Sequence, residues 1–503
     1  MIDALIAAPL LLPAFAGTAT LLFRRRRRWI GAAISVGSAA GLVLLAMILM
    51  GQAIAGGPTA YALGNWPAPF GIVLVLDRLA ALMLLLTAVL GLAVAAHATL
   101  TGLDRKGWHF HPLFQFQLLG INGAFLTGDL FNLFVFFEVL LIASYGLMLH
   151  GQGAQRLTAG VQYVIVNLIG STLFLIALGL LYGITGTLNM ADMAVRAAAL
   201  PPGDMGLLRA GGLLLVTVFA LKAALAPLHL WLPRTYGSTA PAVAALFAIM
   251  TKVGAYAIIR TVPLIFGDWV GQLLLPAALV AMLLGFVGLL AARGLRDMAA
   301  FGLIGSTATL LVAVAQFDQR AMAAALFYLP HTTLAAALLF LTIDLVIRWR
   351  PAEGDSIVPT SAFAGQGRLA LLFLAAAVAL AGLPPLSGFI GKLLILQASL
   401  TSPYVIAIWA LVLGTSLLAV VGMARAGTTV FWKQGSCPPT SKNRTAFRAI
   451  EALPAFFLLV MLGGLTVAAG PATAYADATS RQLFDVPAYV GAVLGPDAPG
   501  AVR

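Results

Sequence analysis

The 503-residue sequence predicts an all-α integral membrane protein of about fourteen transmembrane helices. Apolar residues make up 61% of the chain and charged residues only 9%, too few to cover a water-soluble protein of this size. Mean hydropathy is +1.01, which makes lipid the main solvent. Basic residues fall in short runs between long apolar stretches. The net charge of +12 therefore sets orientation in a bilayer and does not point to nucleic acid.

Stretches able to cross a ~30 Å hydrocarbon core recur from end to end. They fall near 3–23, 29–50, 76–100, 111–129, 130–150 and 160–183, then 208–232, 241–262, 270–292, 298–316 and 321–347. The last three are 367–398, 404–426 and 449–470. The first begins at the initiator methionine with no basic n-region or small-residue cleavage site, so it reads as a span and not a cleaved signal. Charge tests the count independently. With Arg24 to Arg28 in the cytoplasm, alternate loops hold 19 of the 29 Lys and Arg residues, and the opposite loops and tail hold seven. That bias fits fourteen crossings with both termini outside.

Two spans carry helix breakers. Residues 213–233 read LLLVTVFALKAALAPLHLWLP, with Pro227 and Pro233, and residues 380–397 read LAGLPPLSGFIGKLLILQ, with Pro384, Pro385 and Gly388. Broken helices are tolerated at membrane depth only where protein or a wet cavity satisfies the freed backbone. The breaks fall in spans seven and twelve. Five is an odd separation, so units built around them run in opposite directions, the layout of an inverted repeat. The chain then divides into 1–110 (spans one to three), 111–262 (first repeat, spans four to eight), 263–430 (second repeat, spans nine to thirteen) and 431–503 (last span and tail).

Candidate functional residues are the ionisable ones at membrane depth. Only six lysines stand against 23 arginines, and three of them, Lys222, Lys252 and Lys392, fall near the middle of spans seven, eight and twelve. Each costs ~2.5–3.5 kcal/mol on insertion scales, so a chain that keeps them has a use for them. Arginine would supply fixed charge; lysine can also gain and lose a proton when buried. A proton relay is the sharper reading, a structural counter-charge or a snorkelling side chain the plainer one. Glu138, in GDLFNLFVFFEVLLIASYGLMLHG, is the one carboxylate expected mid-membrane. Paired with Lys222 it would act as a switch, because protonating the acid weakens its hold on the lysine. His331 follows Pro330 in span eleven, and its two ring nitrogens suit a relay between separated lysines as well as a satisfied core position. Asp344 is expected to pair with Arg348 at i+4, while Arg234, Arg260 and Arg293 read as topological and Asp77 and Asp129 as span-edge residues. The single cysteine, Cys437, excludes an internal disulfide and a CxxC centre. No phosphate-binding loop, HExxH, GxSxG, dinucleotide fingerprint or metal spacing occurs, so neither an enzyme nor a bound cofactor is expected.

The stretch LTGDLFNLFVFFEVLLIASYGLMLHG closely resembles the D-type subunits of Mrp-type sodium/proton antiporters. So do WPAPFGIVLVLDRLAALMLLLT, LKAALAPLHLWLPRTYGSTAPAVAALFAIMTKVGAYAIIR and GLPPLSGFIGKLLILQA, and the likeness spans roughly residues 5–470. The wider family includes the antiporter-like membrane subunits of respiratory complex I and of membrane-bound hydrogenases. The resemblance implies a fourteen-helix fold of two inverted five-helix repeats, each with a broken helix. It maps the pumping residues onto Glu138, Lys222, Lys252 and Lys392, with His331 on the connecting polar axis. It also implies partner subunits of the A, B, C, E, F and G types, a bacterial cytoplasmic membrane, and exchange of Na+ or K+ for protons. The second repeat departs from the pattern by lacking a mid-span acid comparable to Glu138. Alternatives are the equivalent subunit of a redox-driven pump and a non-transporting membrane scaffold.

Overall fold

The computed structural model describes residues 3–23, 28–351, 353–359, 365–433 and 448–500. Arg24–Arg27, Cys437 and Lys442 lie outside the described residues.

Helices α1 (Ala8–Leu22), α2 (Arg28–Ala55) and α3 (Arg78–Thr101) make the first three crossings. Between α2 and α3 lies an antiparallel hairpin, β1 (Thr59–Ala62) with β2 (Val73–Leu76), in the register Thr59 to Leu76. Next come α4 (Phe110–Leu126), α5 (Leu130–Met148), α6 (Ala154–Thr185) and the short α7 (Met190–Ala198). The seventh crossing is two half-helices, α8 (Met205–Lys222) and α9 (Trp231–Ser238), followed by α10 (Pro241–Thr261). Then follow α11 (Gly271–Ala291), α12 (Leu295–Val314) and α13 (Gln319–Trp349). The twelfth crossing is again split, into α14 (Gln366–Ala381) and α15 (Ser387–Ala398). The chain finishes with α16 (Val405–Gly427), α17 (Leu453–Val467), α18 (Ala469–Phe484) and α19 (Val486–Leu494).

Twelve helices among the described residues are long and apolar enough to cross a membrane. The split α14–α15 pair and the 17-residue α4 bring the crossings to fourteen. Helix α4 is less apolar because it carries buried amides; the Gln115 side chain donates to Ser35 and accepts from Ser38 of α2. Helix α10 is buried along its whole length and stands at the centre of the bundle. Helices apolar on every side that are not central, such as α2, α16 and α17, are left facing lipid.

Both breaks fall where the sequence places them, with two differences in detail. In the seventh crossing the chain leaves the helix over 223–230, around Pro227, but Pro233 sits inside α9. It occupies the first turn, where a missing N–H costs nothing. In the twelfth the break spans 382–386, with Gly382 left-handed at φ 73°, and Gly388 lies within α15. Its role is contact: a Cβ there would come within 2.5 Å of His331 Nε2. Each break holds a cis bond, Ala226–Pro227 and Pro384–Pro385.

The end of the bundle carrying the hairpin, here the hairpin end, is capped by side chains. Asp77, Asp129, Asn189 and Asp318 accept backbone N–H groups at the starts of α3, α5, α7 and α13. Helix α8 starts at this end and α14 at the opposite one, so the two broken helices run in opposite directions. The loop at 183–207 and the tail after 470, for which the sequence offers no residue-level account, fold back here as α7, α18 and α19. Tyr475 donates to the Arg78 carbonyl at 2.7 Å and Ser480 to the Gln319 carbonyl at 2.7 Å.

Candidate proton-carrying site

Lys222 is the last residue of α8, and helix geometry explains how it is tolerated there. The unpaired carbonyls of a helix C-terminus form its negative pole, which suits an ammonium. The freed backbone is otherwise satisfied locally: Leu225 N–H donates to the Ala220 carbonyl, and Trp231 Nε1 of α9 donates to the Leu221 carbonyl at 3.1 Å. Lys222 Nζ donates to Asn167 Oδ1 at 2.9 Å and stands 6.0 Å from the centre of the Phe137 ring. One turn along α6 from Asn167, the Ser171 hydroxyl donates to Glu138 Oε1. The expected direct Glu138–Lys222 pair is therefore absent. Among the described residues no carboxylate lies within 4.0 Å of the lysine, and α6 stands between them with Asn167 and Ser171 at i, i+4. Glu138 is half-buried, on the flank of α5 that also exposes Phe131, Val135 and Ile142.

Lys392 is held in the same manner from the other side of its break. It belongs to α15, yet its Nζ donates to the carbonyl of Ala381, the last residue of α14, at 2.8 Å, and to Ser416 Oγ of α16 at 2.8 Å. The Phe286 ring centre lies 5.6 Å away. Both broken crossings thus place an ammonium at the C-terminal pole of a half-helix, Lys222 on its own and Lys392 on its neighbour's. His331, 1% exposed, ties the second break together. Its Nε2 meets the Ala379 carbonyl at 3.1 Å, and its Nδ1 meets Ser387 Oγ at 2.9 Å. A carbonyl only accepts, so Nε2 carries the proton, and in the neutral ring Nδ1 accepts from the serine.

Lys252 lies in unbroken α10 with 0% exposure. Its Nζ donates to Thr307 Oγ1 of α12 at 2.8 Å and contacts Thr251 Oγ1 at 3.4 Å. Thr307 thus stands in span ten, the counterpart of the Glu138 span, and joins the two halves of the molecule. A Cβ on Gly254 would meet the Phe219 carbonyl at 2.6 Å, so α10 and α8 touch backbone to backbone between Lys222 and Lys252. Among the described residues no hydrogen bond joins Lys222 to Lys252, or Thr307 to His331. In all three lysine sites the partners are neutral oxygens. Sequence patterns do not single out Asn167, Ser171, Thr307, Ser387 and Ser416; isolated polar residues within apolar spans are the signal that marks them.

Three charge pairs differ from expectation. Asp344 pairs not with Arg348 but with fully buried His97 of α3, at 2.9 Å, while Arg348 faces Glu451 at 3.8 Å. An i+4 neighbour loses to tertiary packing because α3 and the 3-10 turn Ala449–Ala452 that leads into α17 present partners to both residues. Asp77 and Arg260 do stand at helix ends, at the start of α3 and the end of α10, but they are buried against each other as a two-bonded pair at 2.6 and 2.8 Å. Asp129 is half-buried at the cap of α5, and burial pushes its carboxyl above the usual range against the pull of the Asn132 and Phe131 N–H groups.

Comparison with known proteins agrees with this geometry. Residues 127–419 match the family described as NADH:quinone oxidoreductase/Mrp antiporter, TM. The probable K(+)/H(+) antiporter D subunit of Rhizobium meliloti is 41% identical, over 96% of each chain. The Na(+)/H(+) antiporter D subunit of Alkalihalophilus pseudofirmus is 36% identical, over 97% of this chain and 99% of its own. A chain in the solved Mrp complex from Dietzia superimposes with a TM-score of 0.88 at 28% identity, over 98% of this chain and 100% of that one. With a fourteen-crossing fold, two broken helices and near-full-length likeness to antiporter D subunits, the chain belongs to the NADH:quinone oxidoreductase/Mrp antiporter transmembrane family.

Proposed function

We propose that the chain is the proton-translocating subunit of a multisubunit monovalent cation/proton antiporter. The observation that carries this reading is the row of buried lysines, each held among the described residues by neutral hydrogen-bond acceptors and by no carboxylate. An ammonium locked to a carboxylate keeps its proton; one held by amide, hydroxyl and carbonyl oxygens is free to release it. Protonation of Glu138 would be felt at Lys222 through Ser171 and Asn167, and a proton would pass by way of Lys252 and His331 to Lys392. The two helix breaks supply a polar seat for a charge at membrane depth without exposing backbone to lipid. Relatives named for both K+ and Na+ exchange leave the cation class as a monovalent alkali ion. The sequence identity of 41% and 36% to named antiporter D subunits favours this function over a redox-driven pump.

The positive-inside rule puts the hairpin end and both termini outside, in a bacterial cytoplasmic membrane. The half-exposed Glu138 and the apolar flank of α5 and α6, with Val161, Ile165 and Leu168 exposed, suit a neighbouring membrane subunit of the same antiporter. The test is antiport in inverted vesicles, followed with a pH-sensitive dye on adding sodium or potassium. The chain is co-expressed with its neighbouring genes as wild type, Glu138→Ala, Lys222→Ala and Lys392→Ala. Loss of exchange at normal assembly is expected in all three; full exchange in all three would make the buried charges structural.

A further inference from the structure

Helix α10 carries Lys252, Tyr256 and Arg260 at intervals of four, so all three project from one face and rise toward the hairpin end in steps of roughly 6 Å. Tyr256 donates its hydroxyl proton to the Phe125 carbonyl at 2.7 Å, and Arg260 Nε reaches the same hydroxyl at 3.4 Å. Arg260 in turn grips both oxygens of Asp77, which also caps α3 through Ala80 N–H at 2.8 Å. The guanidinium is sandwiched between two tyrosines, its carbon 5.6 Å from the Tyr256 ring centre and 5.4 Å from that of Tyr489 on α19. Tyr489 is 4% exposed, and its buried hydroxyl has no hydrogen-bond partner among the described residues. That hydroxyl lies against Gly128, where a Cβ would stand 3.5 Å away, and the next residue is half-buried Asp129.

A phenylalanine would fill the Tyr489 position equally well, and a buried hydroxyl without a partner is costly. Its presence between the arginine and Asp129 calls for a reason other than packing. We propose that Tyr256, the Asp77–Arg260 pair, Tyr489 and Asp129 form the hairpin-end gate of the path that starts at Lys252, with α19 as its lid. The proposal rests on the relay reading above and adds the route by which protons reach the outer surface. Each phenol passes on its own proton while accepting another, through bridging water, so neither tyrosine changes charge. The Asp77–Arg260 pair holds the two rings in place and keeps other cations out of the column. Helix α19 closes it from above, on a mount set by α18, where Gln482 Oε1 accepts the Arg78 N–H at 2.9 Å.

The experiment uses the assembled antiporter in inverted vesicles, comparing Lys252→Ala, Tyr256→Phe and Tyr489→Phe, with the amount of assembled complex measured in each. Tyr489→Phe removes only an unpartnered hydroxyl and is expected to assemble normally. Its maximal exchange rate should fall about tenfold or more, with the cation concentration for half-maximal rate unchanged; Lys252→Ala should be inactive. Wild-type rates in both tyrosine variants beside an inactive Lys252→Ala would overturn the gate and leave the relay standing. A rate that falls only in proportion to assembled complex would overturn it as well. Full activity in Lys252→Ala would remove the relay, and the gate with it.

Discussion

At Lys222, Lys252 and Lys392 the ammonium is received by an amide, hydroxyls and one helix-terminal carbonyl. These groups are weaker anchors than carboxylates, and they stay in place whether or not the lysine carries its proton. Asn167 shows the point most directly, because among the described residues it supplies the hydrogen-bond acceptor of Lys222. Its own Nδ2 donates to the Tyr163 carbonyl at 2.8 Å, which fixes Oδ1 toward the lysine. Asn167→Leu should leave the buried ammonium unpaired at a cost of about 1.5–3 kcal/mol. Lower thermal stability of the purified complex together with weakened antiport is the expected result. Unchanged unfolding and exchange would remove Asn167 from the site.

At the scale of elements, the breaks in the seventh and twelfth crossings work only because neighbours close on them. The α14–α15 break is held by His331 reaching across to both sides, and that reach depends on a glycine. A Cβ on Gly388 would fall 2.5 Å from His331 Nε2 and 2.9 Å from the Ala379 carbonyl, and neither can withdraw without opening the break. Gly388→Ala is expected to destabilise by about 1–3 kcal/mol and to depress antiport. Gly463→Ala in lipid-facing α17 meets nothing within 4 Å and serves as the control. It should hold or raise the melting temperature, since alanine is the better helix residue. Equal melting temperatures for the two variants would show that the close approach at His331 carries no energetic weight.

Across the whole molecule, pairs far apart in sequence fasten the first three crossings to the rest. Asp77 binds Arg260, and His97 binds Asp344, 183 and 247 residues away respectively. Both join α3 to a central helix, α10 in one case and α13 in the other, near opposite ends of the bundle. Helices in lipid gain little from apolar contact with one another, so buried polar pairs of this kind matter for which helix lies beside which. Asp344→Ala would strand a fully buried imidazole, at a cost of about 1.5–3 kcal/mol for a bond to a charged group. The expected readout is a lowered melting temperature of the purified complex. A wild-type melt for Asp344→Ala would mean that α3 is held by packing alone.

The sequence by itself determined the helical membrane class, the crossings, the two broken spans and the residues on which a relay can be built. Hydrophobic length, loop charge and proline placement are local properties, and the cost of an ionisable group in lipid makes Glu138, Lys222, Lys252, His331 and Lys392 conspicuous wherever they fall. Only the tertiary structure decided their partners. Asn167, Thr307 and Ser416 look like ordinary polar residues in the chain, and Asp344 seemed to belong to Arg348. The hairpin, α7, α18 and α19 left no comparable mark, being short and held by contacts with distant segments. Partner choice depends on which helices pack side by side, and that arrangement is set by long-range close contacts such as Gly254 on α8, which no local pattern encodes.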